Sequence, residues 1–170
     1  MKPVLSLVFG LLLAAIALPL HADQGATITE PGIFVYQAPP DWEVKESPMS
    51  KYKVAMGPAK NGFAPNINVV TESYDGTLEN YVEINKTAIK NSAMFSNVTF
   101  VSQAAFEGAN GVKGIRLVTT DTLSKMNLQQ IFYFFTGSKS KIVVTASSSA
   151  DTGDQYAPIF DASLKTFTPL

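Results

Sequence analysis

The chain has 170 residues, 46% of them apolar, 16% charged and 11% aromatic, with 13 basic against 14 acidic side chains and a formal net charge of -1. That length suits one globular domain with a sizeable core, and the balanced charge leaves no basic excess to neutralise phosphates, so no nucleic-acid partner is expected. The absence of cysteine removes thiolate zinc sites, iron–sulfur clusters, disulfides and cysteine nucleophiles together.

Met1 and Lys2 give a short basic start, and Val4 to Leu18 is apolar apart from Ser6 and Gly10. Pro19, Leu20, His21 and Ala22 then add a helix breaker and a small residue. This is the layout of a secretory signal, and the apolar run is shorter than the ~20 residues that span a bilayer. We therefore expect a signal over 1–22, cleaved after Ala22, and a single periplasmic or secreted domain over 23–170 with no membrane insertion after cleavage. No cysteine stands at the cleavage point to carry a lipid anchor. Cleavage removes Lys2 and His21, leaving 12 basic against 14 acidic residues and neither histidine nor cysteine. Histidine-dependent triads and histidine metal sites are then unavailable, so catalytic residues, cofactor and enzymatic activity are not expected.

The remaining chain reads as strand-rich with two helices. Gly25 to Gly32 is a polar lead-in, and Ile33 to Tyr36 is a short strand stopped by Pro39 and Pro40, with Trp42 in the extended or turn segment beyond. Lys51 to Met56 and Asn66 to Glu72 are further strands around a Gly/Pro/Asn loop. In the second, Ile67, Val69 and Thr71 make one face while the face of Asn66, Asn68 and Val70 is mixed. Thr77 caps a helix reaching about Met94, with Leu78, Tyr81, Val82, Ile84, Ala88 and Ile89 at three- and four-residue steps. Four strands follow, Thr99 to Phe106, Gly114 to Thr120, Leu128 to Phe135 and Lys141 to Ser147, joined by short polar connections that suit antiparallel neighbours. A second helix runs from about Asp154 to Lys165, with Pro158 near its first turn. The runs Ile131 to Phe135 and Ile142 to Val144 are apolar on both faces and read as central strands covered on both sides. The expected fold class is α+β: a three-layer α/β/α sandwich on a mainly antiparallel sheet of about six or seven strands.

Several segments in this order resemble the Mog1/PsbP-like fold family, which includes DcrB-like bacterial envelope proteins. They are Ala38-Pro-Pro-Asp-Trp42 after a short strand, Asn66-Ile-Asn-Val-Val70 before a helix opened by Thr77, and Gly114-Ile-Arg-Leu117. Lys141-Ile-Val-Val-Thr-Ala146, Tyr156-Ala-Pro-Ile-Phe-Asp161 and Ser163-Leu-Lys-Thr-Phe167 complete the series. The resemblance covers about Gly32 to Phe167 and rests on strand, turn and helix motifs, with no catalytic signature among them. It implies the sandwich fold and a role through contact with another protein of the cell envelope.

Five residues stand out. Glu72, Asp75 and Glu79 surround a strand-to-helix turn and are the weak candidates for a divalent cation, the competing role being to cap and stabilise the helix start. Trp42, beside the double proline, is either a core plug or a partner-binding residue. Arg116, in a central strand, needs a partner if buried and is expected in an internal ion pair. Ser50 to Lys53 and Ser138 to Lys141 share a serine–lysine spacing with penicillin-binding enzymes, but neither opens a helix as that chemistry requires. Three functional readings follow: a secreted or periplasmic non-enzymatic domain acting by protein contact, a small-ligand or cation carrier using the loops around Glu72 and Asp75, and a carboxylate hydrolase.

Overall fold

The computed structural model describes residues 25–60 and 62–170, so the expected signal over 1–22 and its cleavage point lie outside the described residues. The elements in order are β1 (Thr27–Glu30), β2 (Phe34–Gln37), β3 (Glu43–Lys45), β4 (Val54–Met56), β5 (Asn66–Glu72), α1 (Leu78–Asn91), β6 (Phe95–Glu107), β7 (Lys113–Leu123), β8 (Met126–Thr136), β9 (Lys141–Ser149), α2 (Gly153–Leu164) and β10 (Thr168–Pro169). Seven strands form one antiparallel sheet in the order β3-β4-β5-β9-β8-β7-β6. The apolar runs of β8 and β9 lie inside this sheet, where both faces are covered.

Strand alternation divides the core in two. One side chain set, including Ile67, Val69, Ile131, Tyr133, Phe135, Ile142 and Val144, packs under α2 through Tyr156, Phe160 and Leu164. The other set, Leu117, Phe132, Phe134 and Val143, packs under α1 through Tyr81, Val82 and Ile89. The helices therefore lie on opposite faces, as the α/β/α reading expects.

The structure departs from the sequence reading in several places, among them a short β3 where only an extended or turn segment is expected and a β4 that begins at Val54 rather than Lys51. The polar lead-in holds a strand, β1, which pairs with β2, and the last residues form β10 on the other side of β2, so a second three-stranded sheet stands apart from the large one. The small sheet joins the α2 layer: Phe34 stacks on Phe167 at 5.6 Å, and the Gln37 amide donates to Thr166 Oγ1 at 2.8 Å. Local alternation in β1 is weak because only Ile28 is buried there. The first helix ends at Asn91 rather than Met94, with Ser92 extended, and β6 begins at Phe95, which pairs with Leu123. Ile84, expected in the apolar stripe, is 51% exposed.

Coverage of the two faces is unequal. With 11 residues β8 is about 36 Å long, whereas the 14 residues of α1 span about 21 Å. On the other face α2 is assisted by the small sheet. On the α1 face the helix stands alone, and one end of the large sheet is left open.

Candidate functional site

The strand register fixes what that open end presents. On the α1 face, Ile115, Phe134, Val143 and Val70 form one apolar row across β7, β8, β9 and β5. The next row is Leu117, Phe132, Thr145 and Asn68, half of it polar. The third is Thr119, Gln130, Ser147 and Asn66, polar throughout. The face thus changes from aliphatic and aromatic under α1 to hydroxyl and carboxamide beyond it.

A groove of about 550 Å³ lies over the polar end. Asn66, Asn68, Gln130, Thr145 and Ser147 make its floor, and Phe63, Phe95, Leu123, Met49 and Met56 make its apolar walls. Lys51 is the one charged residue of its lining, and no carboxylate lines it. The volume falls within the range of small-molecule and peptide-side-chain pockets.

Two polar groups at this end lack partners. Gln130 is 5% exposed, lines the groove, and has no hydrogen bond to its Oε1. Asp121, two residues along β7 from Thr119 and paired across to Leu128, is 3% exposed with Oδ1 unpartnered; its Oδ2 accepts only a long 3.4 Å bond from Thr119 Oγ1. Burial pushes the Asp121 carboxyl above the ordinary carboxylate range, and the Thr119 hydroxyl pulls it back in part. Buried acceptors without donors are uncommon in folded proteins and call for an explanation. A second hollow, about 380 Å³ between Pro39–Pro40 and Pro158–Ile159 of α2, contains no such orphaned atom.

Two of the methionines line the same groove. The four methionines of the described residues are Met49, Met56, Met94 and Met126. Met49 and Met56 line the groove, Met94 precedes the wall residue Phe95, and Met126 pairs across from the wall residue Leu123. Met49 is 91% and Met94 62% exposed. Unbranched, polarisable thioether side chains adapt their shape to what they contact, and exposed apolar side chains gathered at one place mark interaction sites.

Of the segments singled out from the sequence, Ser50 to Lys53 contributes Ser50, Lys51 and Tyr52 to the groove, while the five single residues sit elsewhere. Arg116 Nε donates to Asp161 Oδ1 of α2 at 2.8 Å, and Tyr133 OH donates to the same oxygen at 2.6 Å. Burial disfavours the Arg116 charge, but Asp161 outweighs it and raises the guanidinium pKa; burial and then Asp161 raise that of Tyr133. This triad fastens α2 to the sheet on the face away from the groove. Trp42 packs edge-on against Tyr156 and Phe160 of α2, with ring centroids 6.2 and 5.9 Å away, and is half-buried there. Glu72 accepts a 2.5 Å bond from Tyr81 OH, tying β5 to α1. Thr77 Oγ1 accepts from the Asn80 amide at 3.2 Å and caps α1, with Glu79 in the first turn. Among the described residues, no three His, Cys, Asp or Glu side chains converge as a metal site, so Glu72, Asp75 and Glu79 do not form one.

No family model matches the chain, and no curated protein matches its sequence. Solved structures do match its fold. Cyanobacterial PsbP (CyanoP) from Synechocystis sp. PCC 6803 superimposes with a TM-score of 0.62 at 11% identity, over 89% of this chain and 96% of that one. LpqN, involved in cell envelope biogenesis of Mycobacterium tuberculosis, gives 0.60 at 15% identity over 85% and 89%. PA94 of Pseudomonas aeruginosa, a protein of unknown function and putative regulator, gives 0.61 at 10% identity over 85% and 96%. The fold is therefore the PsbP/Mog1-like one.

Proposed function

We propose that this is an extracytoplasmic, non-enzymatic domain that acts by contact with another protein, and that the methionine-rimmed groove over the open end of the large sheet is its contact site. The observation that carries the reading is the conjunction at one place of exposed apolar side chains, a concave surface and a buried polar atom without a partner. No helix among the described residues is long and apolar enough to cross a membrane, and the envelope role in the LpqN description agrees with an extracytoplasmic place. The signal reading of residues 1–22 supports the same location. Against catalysis stands the lining: hydroxyls, carboxamides, one lysine, and neither a carboxylate pair nor a histidine to activate a nucleophile.

The test is a pull-down from envelope extract with the region 23–170 and its Val70→Asp variant. Val70 is 47% exposed on the groove, so the substitution leaves the core intact. A stoichiometric partner recovered by the parent and lost by the variant is expected. Repeated recovery of nothing, or a partner kept by the variant, overturns the assignment.

A further inference from the structure

We infer that the outer edge of β6 pairs with the same edge of a second copy of this chain, antiparallel about a two-fold axis at Ala104, so that two large sheets become one. The two edges of the large sheet are guarded differently. At one, β3 has 3 residues and carries Glu43 and Lys45, bonded to each other at 3.2 Å. At the other, β6 has 13 residues with no charge before Glu107 and no proline, and among the described residues no strand pairs with its outer side. Folded proteins blunt such edges with charge, proline, short strands or bulges, because unpaired main-chain groups invite another strand. β6 has bulges, and only in its first half. Its register against β7 shifts between Ser96 and Thr99, where Asn97 has a φ of 55°, and again between Phe100 and Ser102. Residues 102–107 then pair one to one with β7, from Ser102 opposite Val118 to Glu107 opposite Lys113, and all but Phe106 are exposed.

The chemistry of this run suits its own copy. With the axis at Ala104, that residue lies beside its copy, Gln103 beside Ala105, and Ser102 beside Phe106, so small uncharged side chains meet at the centre. The two Glu107 carboxylates stand about 20 Å apart along the strands, about twice the ~10 Å screening length. Joining β6 to β3 instead would set a long uncharged edge on a 3-residue charged one, in a head-to-tail contact that a two-fold axis does not close. A foreign strand would find main-chain groups at this edge but no side-chain pocket to select it, since neither hollow described above includes any of residues 102–107.

The test is sedimentation velocity on protein purified from cells expressing the full chain, between about 1 and 100 µM. The parent is expected to pass from monomer to dimer over that range. Gln103→Lys/Ala105→Lys and Gln103→Glu/Ala105→Glu each set like charges opposite one another across the axis, and each should raise the dimer Kd tenfold or more; an equimolar mixture of the two should restore the dimer. The chain has no cysteine, so a single introduced thiol reads the register. Paired residues of antiparallel strands stand about 4.5–5.5 Å apart, within disulfide reach, so diamide should link Ala104→Cys to its copy and leave Ser96→Cys unlinked. A parent that stays monomeric, charge variants that dimerise like the parent, or Ala104→Cys linking no better than Ser96→Cys would each overturn the inference. Linkage of Ala104→Cys to another protein of the cell would overturn it in favour of a foreign strand.

Discussion

Asp121→Asn tests whether the open end of the sheet holds an ionisable group at the expense of stability. The native carboxyl is 3% exposed, has one oxygen without a partner, and accepts only the 3.4 Å bond from Thr119 on the other. Burial raises its pKa above the unfolded value of 3.8. An acid raised in this way favours the folded state fully below the unfolded pKa, and that contribution is lost as pH rises through the higher folded value. Asparagine keeps the shape and discards the charge. Asparagine leaves one buried polar atom unpartnered, as aspartate does, but it removes the extra cost that burial places on a charge, so the variant should be more stable at pH 7 by about 1 kcal/mol. For a domain of this size the change corresponds to a melting temperature higher by roughly 2–4 °C. Paired thermal melts at pH 7 and pH 3.5 are the assay, because at the lower pH the native group is largely neutral and the two proteins should converge. A variant less stable at pH 7, or a gap identical at the two pH values, would refute the reasoning.

The packing sets further outcomes. Tyr36 is 1% exposed with no partner for its hydroxyl, whereas Tyr133 donates to Asp161 at 2.6 Å; Tyr36→Phe should leave the urea midpoint unchanged or higher, and Tyr133→Phe should cost about 1.5–3 kcal/mol. Arg116→Met removes a partly exposed ion pair and should cost about 1–2 kcal/mol, reduced by solvent screening. Because Arg116 and Tyr133 bond the same Asp161 oxygen, a double-mutant cycle in urea should show non-additive losses. Gly114→Ala places a Cβ 2.7 Å from Phe135 Cε1 and 2.8 Å from the Phe134 carbonyl oxygen, an overpacking that should cost about 1–3 kcal/mol in the same measurement.

What was legible in the sequence was whatever local periodicity encodes. Asn66–Glu72 reads as a strand with the observed bounds, the Thr77 cap opens α1, and the doubly apolar runs of β8 and β9 identify the interior of the sheet. The small sheet escaped notice because β1 buries one side chain and β10 has two residues, so neither carries a period. Trp42 and Arg116 stand out in the sequence as residue types, and in the structure both contact α2. The groove was harder to see for a different reason. Its third row takes one residue from each of four strands, Thr119, Gln130, Ser147 and Asn66, and only the pairing register brings them side by side. The mixed face of Asn66, Asn68 and Val70 was a signal for it. So was Gln130, the second of two glutamines that immediately precede the apolar run Ile131 to Phe135.

The graded composition of the α1 face also explains how a sheet end can be left uncovered by a helix. Continuing the row of Ile115, Phe134, Val143 and Val70 past the end of α1 would leave a flat apolar surface inviting aggregation. Polar residues in the third row prevent that. Apolar character is found instead at the rim, on Met49, Met56 and Phe95, where the unbranched methionines can adapt their shape. The arrangement requires α1 to be short: at about 1.5 Å per residue, ten more helical residues would cover β8 to its end, and the floor would then need aliphatic residues to pack beneath it. Helix length and floor polarity are thus two expressions of one constraint: a short helix leaves the sheet end open, and an open end needs polar residues in its third row.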